Sequence, residues 1–412
     1  FRGAMYPWQS GSDGREESQR LHLNPRSGRW VPDDSHRQRH IGAAIAYNVW
    51  QYHQVTADDE FLFRYGAEML LEIARFWASI TTCGEDGRYH ISGVMGPDEY
   101  HEKLPDSDDP GLTDNAYTNV MVVWLLEKAL DMLAGLPPRT REAVCAKIGF
   151  DPQEREDWKD IIEKMTVRIS KDDIIEQFAG YFELPELEWE KYRTKYPNIQ
   201  RMDRILKSEN DSPDHYKVAK QADVLMLYYL LAPEKVTEIL TDLGYTVPAA
   251  TDLLKKNYDY YIKRTSHGST LSKIVHATIA HDLTTDGESW DWFMQALRSD
   301  IEDTQGGTTP EGIHTGVMAG TVGIAIRNFG GVAFEHDRLA ICPNLPHHWR
   351  ELAFCVWHHN IRYRIRICPR SITVTAQPKQ KTDITAVSIA IEGKEHSLPL
   401  EQEKTFPRSG TC

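Results

Sequence analysis

Asp58-Asp-Glu-Phe-Leu-Phe-Arg-Tyr-Gly-Ala-Glu-Met-Leu-Leu-Glu-Ile-Ala-Arg-Phe-Trp-Ala-Ser-Ile80 repeats its apolar residues at helical spacing. Phe61, Leu62, Tyr65, Met69, Leu70, Ile73 and Phe76 share one face, which predicts a long helix with a buried side. The same period runs outward from it. His40 to Tyr52 carries Ile41, Ala44, Ile45, Val49 and Tyr52, and Asp114 to Leu133 carries Val120, Val123, Trp124 and Leu126. Ala219 to Leu231 and Leu271 to Leu283 are apolar over most of their circumference, as helices buried on all sides are. Near Asp337 the period becomes two. Ile361-Arg-Tyr-Arg-Ile-Arg-Ile367 alternates strictly, flanked by short apolar runs at Leu339–Pro343, Leu352–Val356, Ile372–Thr375 and Val387–Ile391. Alternation broken by Pro, Gly and Asn predicts antiparallel strands with one wet face. The expectation is a mainly α chain: a helical domain over 1–336, then a small antiparallel β-sandwich over 337–412. Lys404 to Cys412 reads as a frayed tail.

The 412 residues suffice for roughly two or three domains. They are 41% hydrophobic and 10% aromatic, enough for a large core. A net charge of -14 repels phosphate backbones, so no nucleic acid partner is expected. No apolar run approaches the roughly 18 residues of a membrane span, so no membrane partner is expected. Six cysteines without a CxxC pair argue against a zinc site or a disulfide framework and fit a reducing, cytoplasmic setting. No signal peptide is visible, and a chain beginning at Phe1 leaves room for a missing leader or domain.

Three long links separate the helices: Gly3 to Asp34, Gly93 to Pro110 and Gly306 to Thr315. Long loops in a compact domain are usually functional or disordered, and these are too rich in Trp, Tyr and His for disorder. Gly93-Val-Met-Gly-Pro-Asp-Glu-Tyr-His-Glu102 sets three carboxylates and a His within five positions after a Gly-Pro turn. A carboxyl group projecting from such a loop into a pocket suits general acid chemistry. Taken alone, the same charges also suit a solvated loop. Gly3-Ala-Met-Tyr-Pro-Trp-Gln-Ser-Gly-Ser-Asp-Gly14 puts Tyr6 and Trp8 beside Gln9, Ser10 and Asp13. That mix binds sugars, although a Trp anchoring a turn fits too.

Lys220-Gln221 stands at the start of a buried helix, where the dipole disfavours a cation unless a ligand or snorkelling accommodates it. Arg264-Thr-Ser-His-Gly-Ser-Thr-Leu-Ser272 and Gln305-Gly-Gly-Thr-Thr-Pro-Glu-Gly-Ile-His-Thr-Gly316 each lead into a helix. Hydroxyls and N–H groups there can hold an anion or simply cap the helix.

Together, GAMYPWQSGSDG, IAYNVWQYHQVTADDEFLFRYGAEMLLEIARFWAS, GVMGPDEYH, DNAYTNVMVVW, KQADVLMLYYL, HGSTLS and GIHTGVMAGT resemble glycoside hydrolase family 65, in the family's order from residue 3 to about 325. That family holds maltose, kojibiose and trehalose phosphorylases. The resemblance implies an (α/α)6 barrel, incomplete at its N-terminus, followed by a jelly-roll-like C-terminal domain. An N-terminal β-sandwich and the first barrel helices of the family are absent from this sequence. Position by position it implies Glu99 as general acid. Trp8, Lys220 and Gln221 fall around the glucose, and Ser269, Thr270 and His314 around phosphate. No metal or organic cofactor is implied, only inorganic phosphate as co-substrate. Relatives suggest a homodimer. Two departures touch the nucleophile site: Gly268 stands where several relatives have Glu, and the loop before His314 is richer in Gly and Thr.

The implied reaction is inverting phosphorolysis of an α-glucoside such as maltose, trehalose or kojibiose, giving β-glucose 1-phosphate. Phosphate attacks without deprotonation, so no second carboxylate is required. The alternative is an inverting hydrolase of the same family, which needs a base roughly 6.5–9.5 Å from the acid. Glu311 is the best-placed candidate and Asp303 the weaker one. A second alternative is an inactive carbohydrate-binding fragment.

Overall fold

The computed structural model describes residues 1–105, 107–283, 286–305, 309–335, 338–380 and 382–409. Its helical body is an (α/α)6-type barrel. Three inner helices, Ala116–Gly135, Asp223–Leu230 and Leu271–Asp282, pack successively on one another. Nearly every residue from Ala116 to Leu126 in the first is buried, as its unbroken apolar run requires. Outer helices such as Pro152–Lys164 and Ala250–Tyr261 bury one face only. Trp77, Trp158, Tyr181 and Phe178 are fully buried between the layers. Each large apolar side chain buried this way contributes about 1.5–3 kcal/mol.

Asp58–Ile80 forms the expected long helix, with one local change. Leu62–Gly66 winds as a π-turn between Asp59–Phe61 and Ala67–Ile80. Gly66 lies against Val49 of the preceding helix Ile41–Thr56; a Cβ there would stand 3.2 Å from the Val49 side chain. The link Gly3–Asp34 also holds a hairpin, Leu21–Asn24 with Arg29–Pro32.

One expected helix start is displaced. The segment expected from Ala219 to Leu231 becomes helical at Asp223, not at Ala219. Ala219 instead pairs as a bridge with Thr265, and the Lys220 N–H goes to Asp98. Tertiary hydrogen bonds capture the backbone before the helix can use it, so the dipole argument for Lys220 does not apply.

The C-terminal region is two four-stranded sheets. One runs in the order Glu403–Pro407, Ser371–Pro378, Ile361–Cys368, Leu352–His358. The other runs Lys394–Pro399, Ala386–Ile391, Arg338–Ile341, Val332–Glu335. Ile361, Tyr363, Ile365 and Ile367 point into the core and Arg364 and Arg366 outward, as the alternation predicts. The His359 N–H donates to the Val55 carbonyl and ties this unit to the helices.

Three expectations need correction. Ala386–Ile391 runs parallel to Arg338–Ile341, because the chain builds most of the other sheet before returning in the same direction. Residues 403–407 are a paired edge strand beside Ser371–Thr375, not a frayed tail; Phe406 is buried against the core, which fixes the register. Cys342 is disulfide-bonded, which the cysteine spacing gave no reason to expect.

Arg75 of the long helix grips Glu154, with Nε and Nη2 donating at 2.8 and 3.0 Å. Glu154 also completes the capping box that starts Pro152–Lys164. Burial opposes its charge, but the Arg75 hydrogen bonds hold its carboxyl below the ordinary value. Arg75→Met should therefore cost about 3–5 kcal/mol in denaturant unfolding, because it strands a buried carboxylate. The pair's contribution is present above the ordinary glutamate range and disappears as pH falls through the lowered folded value. The difference between variant and wild type should shrink with it. A loss below about 1 kcal/mol at neutral pH would show that Glu154 is hydrated rather than paired.

Candidate active site

The acid loop is fixed by its buried residue, Asp98. The Asp98 N–H donates to Asp223 Oδ1 at 2.6 Å, and its Oδ1 accepts the Lys220 N–H at 2.6 Å. Its Oδ2 accepts from His101 Nδ1 at 2.8 Å and Gln177 Nε2 at 3.1 Å. His101 Nε2 donates to the Tyr216 carbonyl at 3.0 Å. Burial disfavours the imidazolium, but the Asp98 bond and charge outweigh it and raise His101 above its usual value. Asp223 is pushed well above the carboxylate range, by burial first and then by the Asp98 charge. Asn115 Nδ2 donates to Asp223 Oδ2 at 2.6 Å while its Oδ1 caps the helix Ala116–Gly135. Gly96 has no alternative here: a Cβ would stand 1.9 Å from Asp223 Oδ2.

With Asp98 fixed inward, Glu99 turns outward. Its backbone is left-handed, φ 64°, and its side chain is 33% exposed. It faces a cleft shared with Asp33, Ser35, Tyr100, Glu102, Arg201, Asp203, Lys207 and Lys220. Lys220 Nζ donates to Glu99 Oε2 at 2.9 Å. Gln221 is buried and donates to the Pro97 carbonyl at 2.8 Å, so it braces the loop. The structure thus brings Glu99, Lys220 and Gln221 together at this loop. The three carboxylates of the loop separate: one inward, one in the cleft, and Glu102 paired with Lys207 at 2.9 Å.

Trp8 lies on the N-terminal strap. The Glu16 carboxylate accepts its N–H at 2.8 Å, and its ring sits 5.4 Å from the His40 ring. Burial pushes His40 down to about 4, so the ring is neutral near pH 7. Trp8 approaches the acid loop through His40 rather than touching Glu99.

The loop Ser266–Thr270 meets the acid loop at Tyr100, whose hydroxyl lies 2.9 Å from Ser266 Oγ. Gly268 sits where a Cβ would approach the Tyr100 hydroxyl to 2.5 Å and the Gln200 carbonyl to 2.7 Å. The departure at 268 thus has a local cause: Tyr100 occupies the space of a side chain. Ser269 Oγ accepts the Leu271 N–H at 3.2 Å at the start of Leu271–Asp282, and Thr270 is buried beside it. His314 begins the helix Thr315–Ile324, its Nδ1 bonded to Asp300 at 2.7 Å. The two helix starts adjoin, with Leu271 against Gly316, but His314 makes no bond to Ser269 or Thr270. The Glu311 side chain lies outside the described residues. Asp303 is exposed.

Sequence reasoning missed several groups. Asp98, Asp223 and Asn115 form the brace described above. Arg201 clamps Asp203 through Nε and Nη2, at 3.1 and 2.8 Å, on the cleft wall. Lys273, one turn beyond Thr270, is fully buried, with Nζ donating to Thr304 Oγ1 at 2.7 Å. Desolvation lowers it to about 8. Asp223 and Lys273 carried one signal: a charged residue inside an otherwise apolar helical run. Among the described residues no cluster of His, Cys, Asp and Glu suits a metal, and no helix is long and apolar enough to cross a membrane.

This arrangement has relatives. Residues 1–323 match the glycosyl hydrolase family 65 central catalytic domain, and residues 332–398 match the C-terminal domain of the same family. A trehalose 6-phosphate phosphorylase of Lactococcus lactis is 42% identical over 93% of this chain and 48% of its own length. An uncharacterized glycosyl hydrolase of Mycobacterium tuberculosis is 48% identical over 91% of this chain and 28% of its own. A kojibiose phosphorylase of Caldanaerobacter subterraneus is 32% identical over 97% and 48%. The chain thus spans about half, or less, of the length of these relatives. A solved chain from the human microbiome shares the fold, with a TM-score of 0.76 at 24% identity over 99% of this chain and 53% of its own. With a catalytic-domain match over most of its length and the C-terminal match behind it, the chain belongs to glycosyl hydrolase family 65.

Proposed function

We propose inverting phosphorolysis of an α-glucoside. In this reading Glu99 protonates the glycosidic oxygen while phosphate attacks the anomeric carbon from the opposite face. The C–O bond to the leaving sugar breaks, the Glu99 proton goes to that oxygen, and β-glucose 1-phosphate forms. The observation that carries the reading is how the carboxylates of the cleft are engaged. Among the described carboxylates that line the cleft with Glu99, Asp203 is clamped by Arg201, Glu102 is paired with Lys207, and Asp33 accepts from the Ser35 N–H and hydroxyl. A base that activates water has to be free to take a proton, and these three are engaged; the Glu311 side chain lies outside the described residues and is left to the test below. Phosphate needs no such base.

Two adjoining helix starts supply N–H groups and hydroxyls that favour an anion, each by a fraction of a kcal/mol up to about 2. The buried ammonium of Lys273 lies one turn beyond Thr270 and has no salt-bridge partner among the described residues, so its charge adds to that field. For Glu99 to deliver a proton, Lys220 has to leave its present contact, and a glucose hydroxyl is a suitable new partner. Trp8 and Gln221 belong to the same sugar site in this reading, Gln221 acting through the loop it braces.

Tests use the full-length protein. Glu99→Gln should lower kcat by about 10²–10⁴-fold without changing the fold; retention of more than a tenth of wild-type kcat would remove Glu99 from the role. Glucosyl fluoride, whose leaving group needs less protonation, should suffer less.

The nucleophile has its own measurement. Ser269→Ala should raise the apparent KM for phosphate more than that for the glucoside, and turnover should require phosphate. Release of free glucose without phosphate, together with loss of activity in Glu311→Gln, would establish the hydrolase instead.

A further inference from the structure

The inner helices of the barrel have two ends, and the cleft occupies one. Glu99, Lys220 and Ser269 stand on segments that lead into Ala116–Gly135, Asp223–Leu230 and Leu271–Asp282. The far ends of the second and third of these helices, with the turn Ala325–Phe329, surround a separate cavity of about 550 Å³. Ala333 of the first C-terminal strand borders it. It shares no lining residue with the Glu99 cleft. At 1.5 Å per residue the intervening helices hold the two apart by about 12–18 Å.

Helical spacing brings polar side chains to this foot of the barrel. Thr278 and Asp282 stand four apart on Leu271–Asp282 and line the cavity together. Tyr228 and Tyr229 come from the end of Asp223–Leu230, Arg327 and Asn328 from the turn. Tyr228, Thr278 and Asn328 are 2%, 6% and 4% exposed. The Tyr228 hydroxyl, the Thr278 hydroxyl and Asn328 Oδ1 nevertheless have no hydrogen-bond partner among the described residues. A helical threonine usually has a carbonyl within reach four residues back, and Thr237 and Thr241 nearby use theirs. Thr278 does not. Burial raises the Tyr228 hydroxyl above its usual range, with no bond to offset it. An unbonded buried polar atom costs about 1–3 kcal/mol. Native structures keep several on one wall where water or a ligand completes them.

Charge selects the ligand. The Arg327 guanidinium lies 5.2 Å from the centre of the Tyr229 ring. Asp282 faces the same space: burial pushes it up to about 6, Arg327 opposes the rise and Glu234 adds to it. The helix ends are of mixed sign as well. The inner helices finish here with carbonyl groups. Pro233–Asp242 and Ala250–Tyr261 begin here with N–H groups that no N-cap side chain covers. Opposite signs at close range select against a strong anion and a strong cation alike. Leu231 and Leu254 add apolar surface between the polar groups. The volume lies in the range of small-molecule pockets. A neutral molecule that offers hydroxyls as donors and acceptors, with C–H faces between them, matches every part of this lining. We propose that the cavity is a second sugar site, which holds a neutral monosaccharide through Tyr228, Thr278 and Asn328, remote from the chemistry. The site stands or falls independently of phosphorolysis.

Equilibrium dialysis of labelled glucose against the full-length protein provides the test, with sulfate and choline as ionic competitors. Lys220→Ala removes a cleft contact, and one glucose per chain should still bind to that variant. Adding Tyr228→Phe and Thr278→Val should weaken this remaining glucose by about tenfold, as the loss of two hydrogen bonds does. Both substitutions delete a hydroxyl that lacks a protein partner, so the thermal midpoint of the unliganded protein should hold or rise.

The site is overturned if no glucose binds to Lys220→Ala, or if the two further substitutions leave its affinity unmoved. Displacement by sulfate or choline at concentrations below that of glucose would show an ion site instead. Glucose found at the foot in soaked crystals but absent in dialysis would be binding at crystal concentration only, and also overturns it. A fall in the thermal midpoint would show that the hydroxyls serve the fold rather than a ligand.

Discussion

Two aspartates meeting in a dry interior govern this structure. Asp98 and Asp223 share a space from which water is excluded, and two adjacent carboxyl groups there cannot both carry charge at low cost. The rise of Asp223 above the carboxylate range relieves the conflict. Asn115 and the Asp98 N–H then satisfy its oxygens, while His101 and Gln177 satisfy Asp98. Four separate segments converge on this one point: the acid loop, the caps of two inner helices and the stretch around Gln177. The exit angle of Glu99 is consequently set by the inner ring of the barrel rather than by its own flexible loop. In the proposed reaction, that is what positioning a proton donor requires.

The cleft beyond this brace is organised by charge more than by shape. Pairing of the deep cations leaves that floor nearly neutral and hydrogen-bonding, which suits an uncharged sugar. The helix starts with Lys273 on one flank retain positive field, because a single ammonium is buried there with an alcohol as partner. Desolvation limits how strongly it can act.

Much of the fold was legible because periodicity survives tertiary context. The helix Asp58–Ile80, the buried run after Asp114 and the strand Ile361–Ile367 all lie where the spacing of their apolar residues puts them. The failures share one cause. The start of Asp223–Leu230, the parallel partner of Arg338–Ile341 and the edge strand Glu403–Pro407 are decided by hydrogen bonds to residues far along the chain. In the site, Glu99, Lys220 and Gln221 were legible because their motifs are compact. Asp98 was not singled out, although it adjoins Glu99, because which of two neighbouring carboxylates faces inward depends on Asp223, 125 positions away.

The left-handed backbone at Glu99 has a consequence for how this chain changes over generations. A residue with a Cβ is held there at a cost of about 1–2 kcal/mol that glycine would not bear and asparagine would bear less. Stability alone therefore favours replacing Glu99, and under the proposed mechanism it is use of its carboxyl that opposes that drift. On that reading, copies of this fold released from catalysis should lose the glutamate early and gain thermal resistance as they do so, which would make the identity of this one position a record of whether a lineage still performs the chemistry.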